Sequence, residues 1–100
     1  MIEHTVSFAL VHPEGSAQEA DFLATGRRVL SAIPGVGDFT VSRQVSPKSE
    51  HRFRFSMRFA DRDAYAAYDD HPAHAEFVAS RWATEVRSFQ ELDLVPYAPS

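Results

Sequence analysis

The sequence predicts a single domain of the α+β class, with a ferredoxin-like βαββαβ order and a four-stranded antiparallel sheet. Three observations predict this fold. The length of 100 residues suits one domain. Segments with strand alternation and segments with helical spacing follow one another in that order. Short groups of Pro and Gly separate these segments. We therefore treat residues 1–100 as one domain.

A change of spacing predicts the first strand and the first helix. Residues 3–11 alternate between two faces, which is typical of a strand with one buried side. The buried side carries His4, Val6, Phe8 and Leu10. Ser16 and Glu19 form a capping box that begins a helix, and Pro34-Gly35 ends it.

The next two segments predict a hairpin. Residues 38–46 place Phe39, Val41 and Val45 on one side. Residues 51–59 form the clearer strand, because apolar and polar side chains alternate along it without a break. Its apolar side carries Phe53, Phe55, Met57 and Phe59. A turn that contains Pro47 joins the two strands.

A broken helical segment and a last strand complete the order. Asp61 can cap a second helix over residues 62–69. Pro72 interrupts this helix, because the residue before a proline is disfavoured in the α conformation. A third helix from about residue 73 carries Phe77, Val78, Trp82 and Val86. Residues 87–95 are predicted to form the last strand.

The composition excludes several classes of protein. The chain has no cysteine, which excludes disulfides, thiolate nucleophiles and cysteine-based metal centres. The 14 acidic residues outnumber the 10 Lys and Arg residues, so no nucleic-acid partner is expected. No apolar run reaches the roughly 18 residues of a membrane span. No secretory signal pattern is visible, and we expect a cytoplasmic protein.

A sheet of this kind carries its helices on one face and leaves the other face uncovered. The uncovered face is predicted to hold Thr5, Ser7, Ala9, Arg54, Ser56 and Arg58. A second copy packed on this face would complete a small core, so we expect a homodimer. The arginines are either solvated or paired with Glu91 or Asp93, within the chain or across the dimer.

The segment from Tyr65 to His74 contains the strongest candidates for chemistry. Tyr65 and Tyr68 share a helical face, and the break at Pro72 lets Tyr68 and His74 converge. A neutral imidazole can act as a general base near pH 7, and a phenol can donate to a developing enolate oxygen. The structural alternative is that His71 caps the third helix while His74 and Tyr68 are only packed.

The other histidines and the glycines give weaker signals. His4 is either a polar group in a ligand cavity or a core-edge residue bonded to a backbone carbonyl. His71 and His74 have ligand-like spacing but no third ligand fixed beside them, so we expect no metal and no cofactor. The chain has neither a nucleophile elbow nor a phosphate-binding glycine loop.

The sequence resembles the stress-responsive dimeric α/β-barrel family, known as Dabb, over about residues 3–97. The resemblance rests on the opening His4-Thr5-Val6-Ser7-Phe8, on Ile33-Pro34-Gly35-Val36 and on His71-Pro72-Ala73-His74. It implies that two ferredoxin-like chains pair sheet to sheet to form a dimeric α/β barrel.

The resemblance extends to polyketide cyclases of the olivetolic acid cyclase type within this family. Their catalytic His and Tyr match His74 and Tyr68, and a strand His matches His4. This implies a cofactor-independent aldol cyclisation with His74 as general base and Tyr68 as enolate stabiliser. Gly26 and Phe53 stand where those cyclases have Tyr and His, so a different substrate is expected.

Two functions therefore stay open. The first is a cyclase or lyase acting on a small carbonyl or polyketide-like compound. Its substrate-binding residues would be His4, Phe8, Phe53, Phe55, Phe77 and Trp82. The second is a non-catalytic dimeric stress-response or ligand-binding protein, in which Tyr68 and His74 are packed without a cavity of ligand size. A cofactorless oxygenase is a third reading, which Trp82 permits.

Overall fold

The computed structural model describes residues 1–97 and has the predicted βαββαβ order. The strands are β1 (Ile2–Leu10), β2 (Gly37–Arg43), β3 (Phe53–Phe59) and β4 (Val86–Leu94). The helices are α1 (Ala17–Ser31), α2 (Arg62–Asp70), α3 (Pro72–Phe77) and α4 (Ala83–Glu85), with a π-helical turn, Val78–Trp82, between the last two. All strand pairs are antiparallel, in the order β2-β3-β1-β4, which confirms the ferredoxin-like fold.

The hairpin strands are shorter than predicted. Strand β2 ends at Arg43, so the placement of Val45 on a buried strand face was wrong, and Val45 is 82% exposed. The Gln44 side chain donates hydrogen bonds to the carbonyls of Ser49 and His51, at 3.3 and 2.9 Å, and holds this part of the chain in a loop. Strand β3 accordingly begins at Phe53, the residue that pairs with Arg43.

Helix α1 begins where the capping box predicts. The Ser16 hydroxyl accepts from the backbone N–H of Glu19, and the Glu19 carboxylate accepts from the N–H of Gly15, both at 3.2 Å. Gly26 brings the helix close to the sheet, because a Cβ at this position would lie 2.7 Å from the Phe55 ring. Among residues 1–97, no helix has the length and apolar character needed to cross a bilayer.

The helical break at Pro72 is confirmed. His71 adopts an extended conformation, and its Nδ1 accepts a hydrogen bond from the N–H of Ala73 at 3.0 Å. His71 therefore caps α3, as the structural alternative predicts. The prediction of one uniform helix toward Val86 was wrong, since the π turn follows α3 and Val86 lies in β4.

The two faces of the sheet have different chemistry. The face toward the helices carries the aromatic core, in which Phe8, Phe22 and Phe55 are fully buried. The register pairs Thr5 with Ser56 and Ser7 with Arg54, which confirms the polar side chains predicted for the open face. The open face also carries Leu92, which pairs with Thr5, and Leu94.

The predicted ion pairs across the sheet are not formed within the chain. Glu91 pairs with Val6 and Asp93 with His4, so both carboxylates lie on the helix-facing side, opposite Arg54 and Arg58. A pairing of these arginines with either carboxylate within one chain was therefore a wrong prediction. Arg54 instead donates to the Ser7 hydroxyl at 3.0 Å.

Candidate functional site

A cavity of about 400 Å³ lies between the helix-facing side of the sheet and the broken helical segment. This volume falls within the range of roughly 300–1,000 Å³ that is typical of small-molecule sites. Most of its wall is apolar and includes Phe55, Phe77, Val78, Trp82 and Phe89. Its polar groups are His4, Tyr68, Asp69, His74 and Glu91. The cavity therefore combines an aromatic wall with a small set of groups able to bond or transfer a proton.

Tyr68 and His74 meet in this cavity. Their ring centroids are 4.6 Å apart, because the break at Pro72 turns α3 back over the end of α2. The Nδ1 of His74 lies 3.2 Å from the carbonyl oxygen of Asp69. A carbonyl can only accept, so Nδ1 carries the proton and Nε2 keeps its lone pair. His74 thus presents a nitrogen that can take a proton.

Tyr68 is suited to donate a hydrogen bond rather than to act as a base. Its side chain is buried, and this burial raises the pKa of the phenol far above its ordinary value. The nearby carboxylates of Asp69 and Glu91 raise that pKa further, because they disfavour a second negative charge. The phenol stays protonated at neutral pH and can donate to an oxygen atom of a ligand.

His4 lies at the sheet wall of the cavity, with its Nδ1 in a polar cluster. Nδ1 is 2.6 Å from Oδ1 of Asp93, so the alternative of a bond to a backbone carbonyl was wrong. The Tyr65 hydroxyl lies 2.8 Å from Nδ1 and donates to Oδ2 of Asp93 at 2.8 Å. Burial and the bond to Asp93 raise the pKa of Tyr65 well above its ordinary value. Tyr65 therefore remains a donor.

The same cluster contains the metal-binding candidates of the described chain. One ligand atom from each of His4, Glu91 and Asp93 lies within 4.8 Å of the other two. The Tyr65 hydroxyl already bonds to this group, at 2.8 Å from His4 and Asp93 and 3.3 Å from Glu91. The hydroxyl of Tyr65 therefore lies among the three candidate ligands.

Three of the five aromatic residues predicted to bind substrate line the cavity, namely Phe55, Phe77 and Trp82. Phe8 and Phe53 do not line this cavity. The register pairs Phe8 with Phe53, and both are buried in the core beside the cavity wall. The Phe8 ring packs against Trp82, with centroids 5.0 Å apart, and so supports the wall from behind.

Sequence reasoning missed the contributions of β4. Phe89 and Glu91 line the cavity, and Asp93 bonds to His4. The signal was present as the alternation of Phe89, Glu91 and Asp93, but Leu92 and Leu94 give the opposite face an apolar character as well. The pattern alone could not decide which face of β4 meets the helices.

Comparison with known proteins identifies the family of the chain. The family model of the stress responsive A/B barrel domain, Dabb, matches residues 2–96. The chain is similar to a Dabb family protein from Mesorhizobium loti, whose crystal structure has a ferredoxin-like fold. The two are 49% identical, the match covers 97% of each chain, and the TM-score is 0.96.

More distant solved structures share the fold. A dimeric ferredoxin-like protein from Thermobifida fusca is 17% identical, with a TM-score of 0.77 over 95% of this chain and 90% of its own. A hydroxynitrile lyase from Passiflora edulis is 12% identical, with a TM-score of 0.80 over 97% of this chain and 94% of its own. A search of the curated proteins gives no match.

Proposed function

The chain belongs to the stress responsive A/B barrel (Dabb) family, and we propose that it is a cofactor-independent cyclase or lyase for a small carbonyl compound. A polyketide-like thioester is the substrate class we favour. The observation that carries this proposal is that the rings of His74 and Tyr68 lie 4.6 Å apart, centroid to centroid, and both line one aromatic-walled cavity. The wall suits an alkyl or aryl group, while the polar residues suit a carbonyl.

The proposed reaction begins with His74. Its Nε2 removes a proton from the carbon next to a carbonyl group, and the electron pair of the C–H bond forms an enolate. Tyr68 donates a hydrogen bond to the enolate oxygen, where negative charge develops. In a cyclase the enolate carbon then attacks a second carbonyl of the same molecule. A carbon–carbon bond forms, and the new alkoxide takes the proton back from His74.

The lyase variant uses the same base on a different proton. Nε2 of His74 removes the hydroxyl proton of a hydroxynitrile, the O–H electron pair forms the C=O bond, and the C–CN bond of the same carbon breaks. Cyanide leaves with the electron pair of that bond and takes the proton from His74. The similarity to the hydroxynitrile lyase supports this variant at the level of the fold. Both variants require His74 as the base, so one set of substitutions tests them together.

The test measures turnover of a linear β-polyketone thioester and of an aromatic hydroxynitrile by purified protein. We expect His74→Ala to lower kcat by about 100-fold or more, the usual contribution of a general base. Tyr68→Phe should lower kcat as well, because it removes the donor but keeps the ring. His51→Ala is the matched control, since it removes an imidazole that lies outside the cavity. Normal turnover by folded His74→Ala would rule out this mechanism.

A non-catalytic ligand-binding protein is the second candidate. The burial of Tyr68 within the aromatic core and the capping of α3 by His71 favour this candidate, because packing and capping explain both residues without catalysis. This candidate predicts that carbonyl compounds bind, with quenching of Trp82 fluorescence, and are recovered unchanged. Chemical conversion of either probe would exclude it.

We also propose that the protein is a homodimer in which two copies meet through their open sheet faces. The exposed Leu92 and Leu94 on this face support the proposal, since each would be buried against the second copy. The Thermobifida fusca protein, which shares the fold, is dimeric, and this supports a dimer for this chain.

A further inference from the structure

The polar cluster around Nδ1 of His4 contains more groups than a single hydrogen bond to a core-edge histidine requires. Asp93 accepts two hydrogen bonds, one at each oxygen: Oδ1 from Nδ1 of His4 at 2.6 Å and Oδ2 from the Tyr65 hydroxyl at 2.8 Å. These three residues come from β1, α2 and β4, so the cluster joins both layers of the fold. Such a carboxylate fixes the orientation of the imidazole and the nitrogen that carries its proton.

The contacts assign the proton of neutral His4 to Nδ1. An ionised carboxylate is only an acceptor, so a 2.6 Å contact with Nδ1 requires a proton on that nitrogen. The Tyr65 hydroxyl is 2.8 Å from both Nδ1 of His4 and Oδ2 of Asp93, so once Nδ1 carries its proton the hydroxyl donates to Oδ2. The lone pair of neutral His4 is consequently on Nε2.

Nε2 of His4 reaches the cavity. Within residues 1–97, both hydrogen bonds of His4 use Nδ1. No fully buried side-chain nitrogen in this range lacks a partner, so Nε2 is not fully enclosed by protein. His4 is only 5% exposed and lines the cavity, which makes the cavity the space that Nε2 faces.

Two imidazoles flank Tyr68, and their hydrogen-bond partners differ. The Tyr68 ring centroid is 6.1 Å from that of His4 and 4.6 Å from that of His74. Nδ1 of His74 bonds to the backbone carbonyl of Asp69, and the Asp69 carboxylate is 4.0 Å from its Nε2, whereas Nδ1 of His4 is 2.6 Å from the Asp93 carboxylate. A short bond to a carboxylate fixes the orientation of an imidazole more firmly than a longer bond to a neutral carbonyl.

The groups that face His4 come from three elements of the fold. Strand β4 contributes Asp93 and, at 3.7 Å from Nδ1, Glu91. Helix α2 contributes Tyr65 and Tyr68, both neutral donors. Strand β3 contributes an apolar neighbour, since Met57 pairs with His4.

We propose that Asp93, held in place by Tyr65, is a positioning residue that presents Nε2 of His4 to the cavity as a second acid–base group. This inference rests on the proposed function and divides its proton transfers between two histidines. His74 takes the proton from carbon. His4 gives a proton to the carbonyl oxygen that becomes the enol oxygen, and Tyr68 donates a hydrogen bond to the same atom.

The proton balance of the cyclisation closes without a further reactant. Neutral His74 takes the α-proton, the C–H electron pair forms the C=C bond, and doubly protonated His4 transfers its Nε2 proton to the oxygen. The enol carbon then bonds to the second carbonyl, and His74 returns its proton to the new alkoxide. The enol O–H proton returns to Nε2 of His4 as the C=O bond forms again. Both imidazoles finish as they began.

The test reads the tautomer of His4 by two-bond 1H–15N correlation in the full-length labelled protein. We expect neutral His4 to carry its proton on Nδ1. Asp93→Ala should lose this preference, and Tyr65→Phe should weaken it. Glu91→Gln is the control, because Glu91 is too far from Nδ1 to hold its proton, and it should leave the tautomer unchanged. If Asp93→Ala does not fold, the wild-type tautomer and Tyr65→Phe still decide the question.

Kinetics separate positioning from general damage. With the β-polyketone thioester as probe, Asp93→Ala should lower kcat by about 10- to 100-fold and leave KM nearly unchanged, because the loss concerns proton transfer rather than binding. A wild-type His4 with its proton on Nε2 would overturn the proposal, as would an unchanged tautomer in Asp93→Ala. The expected tautomer without turnover by the wild type would contradict the proposed function and leave the positioning of His4 supported.

Discussion

At the residue scale, Glu85 links the end of the broken helical segment to His12, in the turn that follows β1. Its carboxylate accepts from the Arg81 guanidinium and from Nε2 of His12, the latter at 2.6 Å. Arg81 also donates to Asp21 of α1 at 2.8 Å. The Arg81 bond is the largest influence on the pKa of Glu85 and lowers it; partial burial opposes this, and His12 reinforces it.

This network predicts a pH dependence of stability. Because the folded pKa of Glu85 is below its usual 4.5, the ionised carboxylate stabilises the fold above about pH 4.5. That stabilisation is lost as the pH falls through the lower, folded value. We expect Glu85→Gln to unfold at lower urea concentration than the wild type at pH 7, and to show a smaller further loss below about pH 4.5. Glu76→Gln, an exposed substitution in α3, should keep the wild-type slope, and equal slopes for all three proteins would contradict the prediction.

The pairing of Tyr68 with His74 could be predicted from the sequence, because Pro72 imposes a break of known geometry at a known place. The carboxylate partner of His4 could not be predicted. His4 and Asp93 are 89 positions apart, and their contact depends on the β1–β4 register. A single sequence gives the alternation of each strand but not the residue opposite each position.

At the element scale, the π turn places Trp82 on the cavity wall. Its ring packs between Phe8, at 5.0 Å, and Phe89, at 5.6 Å between centroids. Helical spacing predicted a plain third helix there, since a π turn has no sequence signature of its own. Within the turn, Arg81 donates a hydrogen bond to Asp21 of α1. The order of the elements and the capping residues of α1, α2 and α3 could be predicted from residues close together in the sequence.

Strand β4 shows why its face was harder to predict than that of β3. Strand β3 has apolar residues on one face only, so its buried side follows from alternation. Strand β4 has Phe89 on the helix-facing side and Leu92 and Leu94 on the open side. A strand with apolar residues on both faces is typical of one buried on both faces, and this supports a partner on the open side.

At the scale of the whole molecule, the open sheet face decides the oligomeric state. We expect the wild type to sediment at twice the chain mass of 11.2 kDa. Leu92→Arg should yield a folded monomer, because it places a charge within the proposed interface without a partner. Val45→Arg is the matched control, since Val45 lies in an exposed loop outside the sheet. A wild-type monomer, or a Leu92→Arg dimer of unchanged affinity, would contradict the prediction.

The central claim is that His74 removes a proton from carbon in the cavity that it shares with Tyr68. The most direct measurement follows hydrogen–deuterium exchange next to the carbonyl of a simple methyl ketone in D₂O by NMR, which requires no knowledge of the natural substrate. We predict that the wild type accelerates exchange above the buffer rate and that His74→Ala reduces it to the buffer rate. Equal exchange by the wild type and folded His74→Ala would contradict the claim.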